Sequence, residues 1–125
     1  MDAFVAKFGA GGSLIYATLL GGPLDQDGRA IAVDAAGNAY VTGKIWGPNL
    51  YPISKLNASG SAVIFSTFDK NARGNAIALD KDLNVWVTGE TRDPIPLEKP
   101  LQGEFGGGFN DAFVVKLAQT PEERN

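Results

Sequence analysis

The hydrophobic and polar positions of this chain alternate with a period of two. In the segment "FVAKF", Phe4, Ala6 and Phe8 point to one side of an extended strand, while Val5 and Lys7 point to the other. Short apolar or β-branched runs such as "AIAVD" and "AYVTG", bounded by turn residues, follow the same strand pattern. No stretch shows a 3.6-residue apolar period. The pattern therefore predicts an all-β protein.

The strands recur. Residues 28–44 align without a gap on residues 74–90, at an offset of 46 and with 9 of 17 positions identical. Residues 7–20 resemble residues 55–68 with one residue slipped. The chain also begins on "DAFVAKF" and nearly closes on "DAFVVKL", which agree at five of seven positions. These matches predict an internal repeat.

Four strands in about 46 residues is the spacing of β-propeller blades. Small alanines on one face of a strand suit the crowded centre of such a ring, and the larger apolar side chains of that strand are expected to pack on its other face. The alanines are Ala30, Ala32, Ala76 and Ala78, and the larger residues are Ile31, Val33, Ile77 and Leu79. A β-sandwich of hairpins is the structural alternative, but it does not require a repeat.

The repeated phrases resemble the bacterial and archaeal SBBP-type β-propeller repeat. The resemblance rests on "DAFVAKFGAGGSLIYATLLGG", then "GRAIAVDAAGNAYVTG", then "TGETRDPIPLEKPLQGEFGGGFNDAFVVKL". It extends from Asp2 to about Leu117. The chain departs from the pattern between Gly43 and Lys55, where the Pro-rich connection and the "GG…DAF" lead-in are missing.

This resemblance implies a partial propeller over residues 1–119, followed by a polar tail at 120–125 that we expect to fray. The expected parts are a half blade (2–22), a full blade (28–68) and a three-stranded blade (74–117). Because even a four-bladed ring needs roughly 180 residues, one copy is too short to close. Three outcomes stay open. The chain is a fragment, an open arc, or a ring completed by strand exchange that pairs 14–20 of one copy beside 111–117 of the next.

Composition narrows the chemistry. The chain has 125 residues, a net charge of −3, no histidine and no cysteine. The charge supplies no basic footprint for nucleic acid, and no apolar run reaches the length of a membrane span. Without histidine or cysteine, the usual catalytic triads, thiolate metal sites and disulfides are excluded. We therefore predict a protein that is not an enzyme and has no cofactor.

The candidate sites are few. Asp25 and Asp27 in "LDQDG" have the spacing of a partial calcium loop, although turn formation explains them better. Asp34 and Asp80 are expected to accept hydrogen bonds within their own turns rather than to act as a catalytic pair. Asn57 fits a glycosylation sequon that lies in a predicted hairpin turn. Trp46 and Tyr51 are the candidate stacking residues for a sugar or peptide, whereas Tyr40 and Trp86 are expected to pack between blades.

The leading functional hypothesis is a non-catalytic propeller segment that acts as a structural and protein-interaction module. Its expected partners are other blades or a second copy of itself. The alternative is a module that binds a carbohydrate or another small ligand through loop aromatics. The resemblance implies a larger extracellular or cell-surface parent protein, and we expect no secretory signal in this chain because the first strand-like segment begins at once.

Overall fold

The computed structural model describes residues 2–21, 26–45, 50–93 and 111–124. Over those residues the chain forms nine β-strands and no α-helix. The strands are β1 (Ala3–Phe8), β2 (Leu14–Leu20), β3 (Asp27–Val33), β4 (Ala39–Lys44), β5 (Ile53–Leu56), β6 (Val63–Thr67), β7 (Ala72–Leu79), β8 (Val85–Thr91) and β9 (Asp111–Leu117). The part of the chain that is described contains no helix able to cross a membrane.

The strands form three separate antiparallel sheets. The first sheet is β1-β2, the middle sheet is β3-β4-β5-β6, and the last sheet is β7-β8-β9. The structure is all-β, and its small antiparallel sheets are consistent with partial propeller blades, as the repeat predicts. β2 is hydrogen-bonded to β1 of its own chain. The strand exchange considered above, which pairs β2 of one copy beside β9 of the next, stays a prediction.

The middle and last sheets repeat one another in register as well as in sequence. Tyr40 lies opposite Lys55 in the middle sheet, and Trp86 lies opposite Lys116 in the last. The first hairpin of each sheet carries a register shift at the same place, between Gly28 and Ala30 in one and between Gly74 and Ala76 in the other. The two hairpins therefore share a bulge at the equivalent position, and a bulge of this kind increases the local twist of its strand.

Two hydrophobic clusters lie on opposite faces of the middle sheet. One packs that sheet against the first sheet and includes Val5, Leu20 and Val41. The other packs it against the last sheet and includes Tyr40 and Phe113. Because successive residues of a strand point to opposite faces, neighbouring residues Tyr40 and Val41 enter different clusters. The sheets therefore stack in sequence order, with the middle sheet covered on both sides.

The turns after β3 and after β7 are each closed by an aspartate. The Asp34 carboxylate accepts hydrogen bonds from the backbone N–H groups of Ala36 and Asn38, each at 3.0 Å. Asp80 accepts the equivalent bonds at 2.9 and 3.0 Å. Both are Asx turns, which confirms the role predicted for these two aspartates.

The prediction for the inner strands is half wrong. Ile77 and Leu79 pack against the cluster between the middle and last sheets, as expected. Ile31 and Val33, however, are exposed. They point toward the first sheet, which consists of β1 and β2 alone, so no strand lies opposite them. A surface groove of about 580 Å³ between β1 and β3 marks this uncovered region.

Candidate interaction site

Three equivalent strands, β1, β5 and β9, each carry a lysine at the next-to-last position. These lysines are Lys7, Lys55 and Lys116, and we call β1, β5 and β9 the lysine strands. Two residues before each lysine stand Val5, Ile53 and Val114, whose exposed fractions are 4%, 0% and 72%. The first two face the next sheet along the chain and are covered by it. No described sheet follows the last one, so Val114 is uncovered.

On the opposite face of the lysine strands, the first strand is exposed and the last is buried. Phe4 and Phe113 hold the same position of the repeated phrase, and they face the preceding sheet. Phe113 is 9% exposed because the middle sheet covers it, whereas Phe4 is 69% exposed. The described protein therefore has two open apolar faces. The N-terminal open face is Phe4, Phe8 and Leu19 of the first sheet, and the C-terminal open face is Trp86, Val114 and Lys116 of the last sheet.

A buried polar site lies where the middle sheet meets the last one. The Tyr40 hydroxyl donates to Asp34 Oδ2 at 3.0 Å, and the Lys55 ammonium lies 5.1 Å from the centre of the Tyr40 ring. The Gln119 side chain covers this site. Its Oε1 accepts from Lys55 Nζ at 2.9 Å, and its Nε2 donates to the Tyr40 hydroxyl at 3.0 Å.

The chain beyond β9 completes this cover. The Glu123 carbonyl accepts a hydrogen bond from Lys55 Nζ, and Gln119 Nε2 also donates to the Leu83 carbonyl at 2.7 Å. The expectation that the polar tail frays is therefore wrong for residues 120–124. These residues form a turn in which the Glu123 carboxylate accepts from the Thr120 N–H at 2.9 Å. Burial of an ammonium requires such partners, which the tail supplies.

The last sheet carries a second, uncovered copy of this site. Trp86 Nε1 donates to Asp80 Oδ2 at 3.0 Å, and Lys116 Nζ lies 5.2 Å from the centre of the Trp86 ring. The two distances match those of Asp34, Tyr40 and Lys55 within 0.1 Å. Among the described residues, no tail or turn covers Lys116, and Trp86 is exposed. The arrangement of aspartate, aromatic ring and lysine thus occurs twice, covered by Gln119 in the middle sheet and uncovered in the last sheet.

Burial and hydrogen bonding shift the pKa values of these groups. Burial lowers the pKa of Lys55, although the charges of Asp34 and Glu123 oppose this. Burial also raises the pKa of Tyr40 to about 12, and the neighbouring Asp34 carboxylate adds to the shift. Burial alone would raise the pKa of Asp34, but the hydrogen bonds from Asn38, Tyr40 and Ala36 together outweigh it and lower the pKa. In the open copy, the Trp86 indole N–H and then the Asn84 amide hold the pKa of Asp80 well below its usual range.

A positional rule links each lysine to the next repeat. Lys7 Nζ donates to the Ala58 carbonyl at 3.2 Å, and Ala58 stands three residues after Lys55. Lys55 Nζ donates to Gln119, which stands three residues after Lys116. Lys7 and Lys55 are thus each capped by the segment that follows the next lysine strand. Among the described residues, Lys116 has no following lysine strand that could supply such a cap.

Asp34, Tyr40, Asp80 and Trp86, which the sequence analysis singled out, belong to the two copies of this site, whereas Asp27, Tyr51 and Asn57 make other contacts. Trp46 and Asp25 lie outside the described residues. Asp27 Oδ1 accepts from Arg29 Nε at 3.0 Å and from the Lys44 N–H at 3.2 Å, so its carboxylate is engaged in ordinary protein contacts. Within the described ranges, no group of three or more acidic side chains has a metal-binding arrangement. The Asn57 side chain accepts from the N–H groups of Ser61 and Ala62, consistent with a turn residue.

Tyr51 is half-buried, and its ring contacts Lys70, one of the residues that line a cationic surface pocket. Lys70 Nζ lies 5.2 Å from the centre of the Tyr51 ring. The Tyr51 backbone N–H donates to Ser66 Oγ at 2.7 Å. The pocket has a volume of about 290 Å³ and is lined by Lys44, Lys70, Asn71, Ala72, Arg73, Arg92 and Asp93. Among the contacts of the described residues, Tyr51 and Asp27 share no bonded partner, so the structure does not join these two candidates into one site.

Sequence reasoning missed Lys55, Lys116 and Gln119 as site residues. The available signal was the third recurrence of a lysine at the end of "AKF", "SKL" and "VKL". A lysine that recurs on strands is ordinarily interpreted as a solvent-facing residue. Only the stacking of the sheets shows that Lys55 is buried while Lys116 is open.

Comparison with known proteins supports the repeat. Residues 15–52 match the family model described as SBBP, a beta-propeller repeat. The match runs from within β2 through β3 and β4 to just before β5. No curated protein matches the chain.

Proposed function

We propose that this chain is a non-catalytic propeller repeat segment that acts as a structural and protein-interaction module in a larger secreted or cell-surface protein. The single observation that carries the proposal is the burial of the lysine strands. β5 is buried on both faces, whereas β1 and β9 each leave one apolar face open. An exposed apolar face of this kind marks a protein contact surface. The larger secreted or cell-surface parent is what the family resemblance implies.

The chemistry of the polar groups supports a non-catalytic role. The sequence has no histidine or cysteine. The two aspartates of the repeated turns are saturated by hydrogen bonds from their own turn and from Tyr40 or Trp86. Carboxylates with lowered pKa values, held in this way, are poor general acids or bases near neutral pH.

Photochemical carbene footprinting of the dilute protein tests the module proposal. Phe4, Phe8 and Val114 are expected to be labelled strongly, while the repeat-equivalent residues Phe113 and Ile53 are labelled weakly. Equal labelling of Phe4 and Phe113 would overturn the proposal, because the open faces would not exist in solution. Turnover in a panel of hydrolase and lyase substrates would overturn the non-catalytic part.

Binding of an acidic carbohydrate is the second candidate function, and the position of Tyr51 favours it. The Tyr51 ring contacts Lys70, and Lys70 lines a pocket together with Lys44 and Arg73, so an aromatic surface and positive charge lie near each other. An array of uronate-containing and sulfated glycans tests this candidate. Binding that Tyr51→Ala and Lys70→Ala each weaken, and that Lys81→Ala leaves unchanged, would support it. The absence of binding across the array would remove it.

A further inference from the structure

In the uncovered copy of the buried polar site, Lys116 and Trp86 have the same relative geometry as Lys55 and Tyr40 in the covered copy. Lys55 and Lys116 lie over their aromatic partners at 5.1 and 5.2 Å, so the Lys116 ammonium already has the distance from its ring that the Lys55 ammonium has when covered. Lys55 is capped by Gln119 and by the Glu123 carbonyl. In the part of the chain that the structure describes, Lys116 lacks such an acceptor.

The turn between β1 and β2, at residues 9–13, is equivalent to the turn at 57–62 that caps Lys7, but it caps no lysine of its own described chain. Ala10 stands three residues after Lys7, as Ala58 stands three residues after Lys55. The two turns share their internal hydrogen bonds. Gly12 N donates to the Gly9 carbonyl at 2.9 Å, and Gly60 N donates to the Asn57 carbonyl at 3.0 Å. The turn at 57–62 caps Lys7, whereas the turn at 9–13 makes no equivalent bond to a lysine of its own described chain.

The apolar residues of the two open faces are equivalent in the repeat to residues that already pack against each other between the middle and last sheets. Phe4 corresponds to Phe113, and Val114 corresponds to Ile53. In the middle of the molecule, Phe113 and Ile53 belong to the same buried cluster between two sheets. Placing Phe4 of one copy on Val114 of another therefore repeats an interface that the chain already forms once.

We infer that the C-terminal open face binds the N-terminal open face of a second copy of this chain, head to tail. The turn at 9–13 of one copy caps Lys116 of the other, and Phe4 packs on Val114. The inference rests on the proposed interaction function and adds its partner and register. Unlike strand exchange, it leaves β2 paired with β1. Because the two surfaces differ, the contact is heterologous and each copy keeps one free face for a further copy.

Sedimentation velocity over a range of concentrations tests the inference with two single-face variants. Phe4→Asp damages only the N-terminal face, and Val114→Asp damages only the C-terminal face. Both side chains are exposed in the single chain, so circular dichroism should show folded proteins. The wild-type mass should rise with concentration, and each variant alone should remain a monomer.

Mixing the two variants gives the decisive result. Each retains the face that the other has lost, so an equimolar mixture should form a dimer and stop there. A monomeric mixture would overturn the inference. So would loss of assembly in Phe4→Asp combined with wild-type assembly in Val114→Asp, which would indicate contact between two N-terminal faces.

A third variant tests the register. Lys116→Met should weaken the association about ten-fold, the effect of losing one hydrogen bond to a charged group. Lys81→Met, at an exposed turn position, is the matched control and should leave the association unchanged. An unchanged Lys116→Met association would overturn the proposed cap. A wild-type protein that stays monomeric while footprinting still shows two open faces would remove the second copy as the occupant and leave the module proposal standing.

Discussion

Phe4 and Phe113 occupy the same position in a repeated strand, yet one is exposed and the other packs against Phe68 with ring centres 5.3 Å apart. Their local sequences, "DAFV" in both cases, are identical. Their environments differ because a sheet precedes β9 in the stack, whereas no described sheet precedes β1. Burial in this fold is thus set by the neighbouring repeat and not by the strand itself.

This relationship predicts unequal costs for one substitution. Phe113→Ala should lower the free energy of unfolding by about 3 to 4 kcal/mol, because it removes a buried ring and leaves a cavity. Phe4→Ala in the dilute protein should change it by less than about 0.5 kcal/mol, as is usual for exposed side chains. Urea unfolding of the two variants provides the measurement. Similar costs for both would contradict the difference in burial.

The fold class was predictable from the sequence because strand periodicity and the 46-residue offset are local properties of the chain. The Asx turns at Asp34 and Asp80 were predictable for the same reason, since each aspartate bonds within its own turn. The exposure of Ile31 and Val33 was not predictable from alternation. Alternation identifies the two faces of a strand, but it does not identify the face that another sheet covers.

The buried lysine site could not be read from the sequence, because its parts are distant in the chain. Gln119 meets Tyr40 and Lys55 only because the last sheet stacks on the middle one. The sequence signal for residues 120–125 is their polar composition, which favours a frayed end. The contact of Glu123 with Lys55 overrides that local preference over residues 120–124.

A matched pair of glycines tests the closeness of the middle and last sheets. A Cβ added at Gly74 would clash with Thr42 Oγ1, whereas at the equivalent Gly28 the nearest atom is Ala3 Cβ at 3.8 Å. Neither glycine has a positive φ, so only the steric clash distinguishes them. Gly74→Ala should destabilise the protein by about 1 to 3 kcal/mol, and Gly28→Ala by less than about 1 kcal/mol.

A double variant checks the cause of the clash. Adding Thr42→Ala to Gly74→Ala removes the hydroxyl that the new methyl group meets. The double variant should therefore lose less stability than the sum of the two single variants, measured by thermal unfolding. Strictly additive losses would show that the two sheets do not approach each other at this point.

Gln119 should stabilise the protein out of proportion to its size. Gln119→Ala removes the acceptor of the buried Lys55 ammonium and the donor to Tyr40 and Leu83, so we expect a loss of about 2 to 3 kcal/mol. The double variant Lys55→Met/Gln119→Met replaces both partners by apolar groups and should recover part of that loss. Hydrogen exchange should also show faster exchange at Glu123 and Arg124 in Gln119→Ala. Slow exchange there would mean that the tail is held by other contacts.

The uncovered copy of the site, formed by Asp80, Trp86 and Lys116, leads to a prediction at acid pH. Hydrogen bonds from Trp86 and Asn84 lower the pKa of Asp80 below its ordinary value of 3.8. A carboxyl group with a lowered folded-state pKa contributes stability above its unfolded pKa, and that contribution is lost as the pH falls through the folded value. Trp86→Phe removes the largest cause, so the pKa of Asp80 should rise toward 3.8 in a carboxyl-carbon NMR titration. An unchanged titration in Trp86→Phe would show that the indole does not hold the carboxylate.

The buried polar site, formed by Asp34, Tyr40 and Lys55, leads to the corresponding prediction at alkaline pH. The pKa of Tyr40 is raised to about 12 from an ordinary value of 10.0, because the phenolate would be buried beside the Asp34 carboxylate. A group with a raised folded-state pKa contributes stability that is fully present below the unfolded pKa and is lost as the pH rises through the folded value. Two pKa units correspond to about 2 to 3 kcal/mol, so this stability should disappear between pH 10 and 12.

Tyr40→Phe isolates that contribution from all other alkaline titrations. At pH 8 the variant should be less stable by about 1 kcal/mol, since Asp34 and Gln119 each lose a hydrogen-bond partner. Other groups titrate in both proteins, so they cancel in the difference between the two urea-unfolding curves. The advantage of the wild type should therefore shrink, and then reverse, as the pH rises from 10 to 12. A difference that stays constant over this range would show that the Tyr40 phenol is not buried between the sheets.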